Sequence, residues 1–146
     1  MALNYGYNIS TSQVNEVNAQ QYNIITHSDS TTSSIAAGAK GVVGELVFVP
    51  QYTGAVLIEG IVEGAGADIQ VGVSAANGTS GSESGVGVSV ASASAGTSVI
   101  GYMVSGLIPY EVYYIGIIVN NTGTSAIDAK GVLTTAQELS TGVIRG

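Results

Sequence analysis

Gly54–Ala75 reads GAVLIEGIVEGAGADIQVGVSA, and its alternation decides the fold. In the first half Val56, Ile58 and Val62 fall on one side of an extended chain, with Leu57, Glu59, Ile61 and Glu63 on the other. After the turn GAGA, Ile69, Val71 and Val73 alternate with Gln70 and Gly72. Successive side chains of a strand point to opposite faces, so each half predicts a β-strand with one buried side. Glycine, at 21 of 146 residues, is too frequent for a helical protein, since each one weakens a helix interior.

The same reading extends in both directions. GELVFVP (Gly44–Pro50) is a strand stopped by its proline. SGVGVSVAS (Ser84–Ser92) repeats the period of two through Val86, Val88 and Val90. TSVIGYMVSGL (Thr97–Leu107), YEVYYIGIIVN (Tyr110–Asn120) and IDAKGVLTTA (Ile127–Ala136) follow, and the tail ELSTGVIRG is a candidate last edge strand. Turn formers separate them, with NGTSGSES (Asn77–Ser84) as a long polar tip. The pattern predicts an all-β protein: an antiparallel β-sandwich, Greek-key or jelly-roll, of about seven to eight strands. Residues 1–40 are richer in Asn, Gln, Ser, Thr and Tyr and lack sustained alternation. They are read as an N-terminal arm or edge segment and linker, with the sandwich domain spanning 41–146.

Leu107–Tyr113 reads LIPYEVY. Leu-x-Pro-x-x-x-Tyr resembles the tyrosine corner of fibronectin type III and related Greek-key sandwiches. The resemblance implies that the Tyr113 hydroxyl bonds back to the crossing loop, with Leu107 as a neighbouring plug and Pro109 shaping the turn. It covers about seven residues and implies a topology, not an activity; the tryptophan of the fibronectin family has no counterpart here, since the chain has none. An inward Tyr113 carries Ile115, Ile117 and Val119 inward with it and leaves Val112, Tyr114 and Ile118 outside. Leu57 and Ile61 are outward by the same logic. Contiguous apolar patches outside a fold mark interfaces, unless the chain's own arm or tail covers them. In the arm, Tyr5, Tyr7, Ile9, Tyr22 and Ile24 alternate as a donor strand would.

Chemically capable groups are few. The cations are Lys40, Lys130 and Arg145, the only histidine is His27, and cysteine is absent; net charge is −7. Nucleic-acid binding needs cations to displace phosphate counterions, so no nucleic-acid partner is expected. No apolar run is long enough to predict membrane insertion. Met1–Gln20 shows neither a basic start nor a continuous apolar core, so either export is not by a conventional leader or a leader has been removed. His27 lies in Thr-His-Ser-Asp, and adjacent residues cannot converge as a triad. Gly81–Gly85 reads GSESG and has Glu83 where a nucleophile would stand. Phosphate-loop glycines and zinc-ligand clusters are missing. Glu59, Glu63, Asp68 and Glu83 could pair as carboxylates, yet no tryptophan accompanies them, and calcium at Asp68 or Glu63 lacks its loop pattern. These acids are expected to solvate an exposed rim. No catalytic, metal or cofactor residues are assigned, and no enzyme is expected. Asn8, Asn77 and Asn120 begin N-x-[ST] sequons, and Asn77, on its tip, is the candidate glycosylation site.

Charged residues make up 9% of the chain, against about 25% in ordinary domains. Such a surface docks against copies of itself with little charge to desolvate. The overall profile is similar to structural proteins of phages and archaeal viruses. The leading expectation is a non-enzymatic virion subunit, a capsid-decorating, spike or accessory protein on the virion surface, forming homo-oligomers or docking on other virion subunits. The alternative is an extracellular filament or pilus subunit assembled by donor-strand exchange of its N-terminal segment. A carbohydrate- or surface-binding β-sandwich module is third.

Overall fold

The computed structural model describes residues 23–28, 32–93 and 96–139. They form nine strands: β1 (Ile24–His27), β2 (Ser33–Ile35), β3 (Lys40–Phe48), β4 (Val56–Glu63), β5 (Asp68–Val73), β6 (Ser84–Ala91), β7 (Thr97–Val104), β8 (Tyr113–Asn120) and β9 (Ile127–Glu138). The count exceeds the expected seven to eight because 23–35 supplies two short strands. Both pair antiparallel with β9 of the same chain, β1 along its C-terminal half and β2 along its N-terminal half. They act as one broken edge strand. Tyr5, Tyr7, Ile9 and Tyr22 lie outside the described residues; Ile24 is opposite Gln137.

One sheet runs β1/β2-β9-β4-β7 and the other β3-β8-β5-β6. Every pairing is antiparallel. Chain connections cross from sheet to sheet everywhere except β1–β2 and the β5–β6 hairpin, which gives the jelly-roll order. The core lies between the sheets. Val56, Ile58 and Val62 of β4 meet Ile69, Val71 and Val73 of β5 and Tyr113, Ile115, Ile117 and Val119 of β8, all buried. Each set has the period of two that the sequence shows.

Two local features fit the sheets together. In β3 the register slips between Val43 and Leu46, so Gly44 and Glu45 stand opposite Gly116. Gly44 takes φ +63° there, and a β-carbon on it would lie 2.2 Å from Thr134 Oγ1 of β9. Only glycine allows both the left-handed backbone and this close approach of the two sheets. At one end of the sandwich, Glu138 is buried at the close of β9. Its carboxylate accepts backbone N–H groups from Gln51 (2.7 Å), Tyr52 (2.8 Å), Thr53 (2.8 Å) and Gly54 (3.0 Å), and the Asn23 side-chain amide as well. Burial alone would raise its pKa. The convergent N–H dipoles, Gln51 first, outweigh that and hold the carboxyl below the usual carboxylate range.

The loop held by Glu138 also meets the turn before β8. Leu107 N–H donates to Gly54 O (3.1 Å) and Tyr110 N–H to Pro50 O (2.7 Å). Tyr113 is buried, and its hydroxyl oxygen accepts the Ile108 N–H at 2.8 Å, five residues upstream. That is the bond the tyrosine-corner resemblance implies. Leu107 packs against the core.

Candidate functional site

The outer face of the first sheet is built from residues that alternate with the core. Cross-strand register sets Leu57 opposite Met103 and Ile61 opposite both Val99 and Leu133. Glu59 sits between these rungs, opposite Gly101 and Thr135. Thr135, Leu133, Ile61, Val99, Glu59 and Gly60 line a shallow depression of about 150 Å³. Leu57 and Ile61, predicted outward, are outward and half-buried.

Several strongly exposed apolar side chains lie on and beside that face, on β6 and β7. Val88 is 80% exposed, Val99 65% and Met103 54%. Among the described residues β7 ends the first sheet and β6 the second, and the two lie side by side. Neither carries a charge or a proline. They differ in regularity. The β5–β6 register breaks between Ile69 and Val71, which takes Val88 out of the alternation expected for it with Val86 and Val90. β7 pairs with β4 from Thr97 to Val104 without a slip. Its Tyr102 occupies an inward position, opposite Ile58, yet remains partly exposed because no described residue covers it on this side. It packs over Gly87. Sequence reasoning missed this flank. The available signal was two consecutive strands of eight residues with no ionic side chain.

The outer face of the second sheet departs from expectation. Val112 and Tyr114 are half-buried, and Ile118, expected outside as an interface residue, is only 2% exposed. It does point outward, but the chain covers it. The polar tip expected at Asn77–Ser84 instead belongs to a segment, 74–83, that folds back as a strap across β8 to β3. Ser74 N–H and Oγ bond the backbone of Tyr114 (both 2.9 Å), and Asn77 N–H and Oδ1 bond that of Val112 (2.7 and 3.1 Å). At the far end Ser80 Oγ (2.6 Å) and Gly81 N–H (2.8 Å) donate to the Glu45 carboxylate. The Asn77 side chain is thus tied to Val112 and Glu111, although the residue is exposed.

Glu83, at the strap's end, corrects the expectation of a solvated rim. It is 3% exposed, over Gly72 and beside Ile118, and among the described residues neither carboxyl oxygen has a hydrogen-bond donor. Burial first, then the facing Glu45 carboxyl, pushes Glu83 up to about 7, and nearby backbone N–H groups offset this only in part. Glu45 is shifted the other way. Burial would raise it, but Glu83, Ser80, Gly81 and the charge of His27 together lower it. Two neighbouring carboxyls whose pKa values are pushed apart in this way resist being ionised together.

No protein-family profile matches the chain, and no curated protein matches it. Among solved structures it is similar to the C-terminal CBM6 of LamC, a marine laminarinase from Zobellia galactanivorans. The TM-score is 0.40 at 10% identity, over 80% of this chain and 100% of that one. The class that strand order and packing define is an all-β jelly-roll sandwich whose described β6–β7 flank carries no charge.

Proposed function

We propose that this protein is a non-catalytic structural subunit that associates with copies of itself through the β7 edge and the apolar face beside it. One observation supports the reading: among the described residues β7 is an unbroken, uncharged, proline-free edge strand, and its exposed side chains continue into Leu57 and Ile61. Free edges invite strand pairing, and proteins that stay monomeric blunt them with charges, prolines or bulges. β6 has such a bulge; β7 has none of these features. Antiparallel β7–β7 pairing about a two-fold axis would extend the first sheet across two copies and bring the two Val99–Met103 surfaces together. Virion and filament settings would both use such a contact.

Sedimentation of the purified chain at 1–100 μM (an order-of-magnitude range around common self-association constants) tests this. A concentration-dependent oligomer is expected, and Val99→Lys should reduce it to monomer without lowering the melting temperature. A monomer throughout, or an oligomer indifferent to Val99→Lys, would count against the reading.

A second reading, binding to a carbohydrate or other surface, is favoured by Tyr110. This side chain is 78% exposed beside exposed Ile108, on a turn tied to Pro50 and held with φ +69°. An aromatic fixed in this way can stack on a sugar ring at little entropic cost. Retention on polysaccharide columns that disappears in Tyr110→Ala would favour it over self-association.

A further inference from the structure

Among the described residues the strap over the second sheet is fastened at its far end through Glu45, which receives Ser80 and Gly81, and through Glu83, which lies beneath it. A buried carboxyl without a donor is costly if ionised, and more so against a second carboxylate. Something must neutralise one of the two charges. A calcium ion would call for roughly six to eight oxygen ligands, and this site offers two carboxyls and one hydroxyl, already engaged as a donor. A proton needs only the two facing carboxyls.

We propose that a proton shared between Glu45 and Glu83 latches strap 74–83 over the outer face of the second sheet, and that its loss releases the strap and bares Ile118. With Glu83 protonated, its O–H donates to Glu45, whose other bonds hold Ser80 and Gly81. When the proton leaves, two carboxylates face each other under the strap. The cheapest relief is for Glu83 to swing into water, taking the strap's far end with it. Gly72 and Gly116 then present no side chain to cover Ile118. The groups around the latch come from each element packed there: His27 on β1 acts on Glu45 through space, Gln70 on β5 and Tyr114 on β8 are uncharged, and Glu111 lies at the strap's other end, bound to Asn77. The near end keeps the bonds of Ser74 and Asn77 to the Tyr114 and Val112 backbone, which do not titrate, so the strap hinges rather than detaches.

The sign follows from linkage. Glu83 is a carboxyl raised in the folded state, so the latch is closed at acid pH and opens as pH rises through the folded value. Amide exchange on the full chain at pH 5.5 and 8.5, expressed as protection factors, reads it directly. The Gly81 N–H should lose at least tenfold protection at the higher pH, while the core amide of Ile117 keeps its own. In Glu83→Gln, where an amide N–H replaces the shared proton, Gly81 should stay protected at both pH values, and His27→Gln should retain the wild-type response. Equal Gly81 protection in the wild type at both pH values would overturn the latch, as would a Glu83→Gln variant that follows the wild type. A loss of protection at pH 5.5 on adding EDTA would also overturn it, by showing a bound cation in the proton's place. Should Glu83→Gln fail to fold, the carbon-13 titration of the wild-type Glu83 carboxyl decides: a midpoint near ordinary carboxylate values overturns the proposal.

Discussion

Replacing Glu138 by alanine removes the acceptor for four backbone N–H groups at once. Of these, Gly54 N–H is buried and those of Gln51, Tyr52 and Thr53 are partly so. A buried donor left without a partner costs about 1–3 kcal/mol, and one that water can reach costs less. One full penalty and three partial ones sum to about 4 kcal/mol. Domains are stable by only about 5–15 kcal/mol, so Glu138→Ala should forfeit a large share and lower the melting temperature by about 10 °C. Glu138→Gln should cost about half as much. Its carbonyl can replace Oε2, which serves Tyr52, Thr53 and Gly54, but its NH₂ then confronts the Gln51 N–H. The pH dependence gives an independent reading. Glu138 is held below its ordinary value, so its stabilisation is complete above the unfolded pKa of 4.5 and is lost as pH falls through the folded value. Urea denaturation at pH 7 and at pH 3–4 (about the ordinary carboxylate range) should show an acid-side loss in the wild type that Glu138→Gln lacks. An alanine variant within about 1 kcal/mol of the wild type, with the acid slope unchanged, would refute the argument that this carboxylate holds the loop.

Gly44→Ala should destabilise by about 2–4 kcal/mol, combining left-handed backbone strain with overpacking against Thr134, as thermal denaturation would show. Tyr113→Phe keeps the buried ring but orphans the Ile108 N–H, so a loss of about 1–2 kcal/mol in urea is expected, with faster amide exchange confined to 107–110.

Much of the fold is legible in the sequence because the signal is local. Alternation in Gly54–Glu63, Asp68–Val73 and Tyr113–Asn120 names the inward side chains correctly, since the pleat converts sequence parity directly into facing. The tyrosine-corner segment announces a turn that crosses between sheets. Leu57 and Ile61 fall outside by the same parity. Val88 and Ile118 show where parity stops being enough. A three-residue irregularity in β6 takes Val88 off its expected side, and parity gives Ile118 an outward direction but no information about what lies above it.

Sequence alone determined that this chain is a stack of extended segments with an apolar side to each, because side-chain alternation needs no partner strand to be expressed. Tertiary structure alone decided which strands became edges, that the polar loop 74–83 would lie down over Ile118, and that Glu83 would be buried against Glu45. Those outcomes depend on residues far apart in the chain (Glu45 with Gly81, Glu138 with Gly54) meeting in space, and no local pattern carries the distance between them.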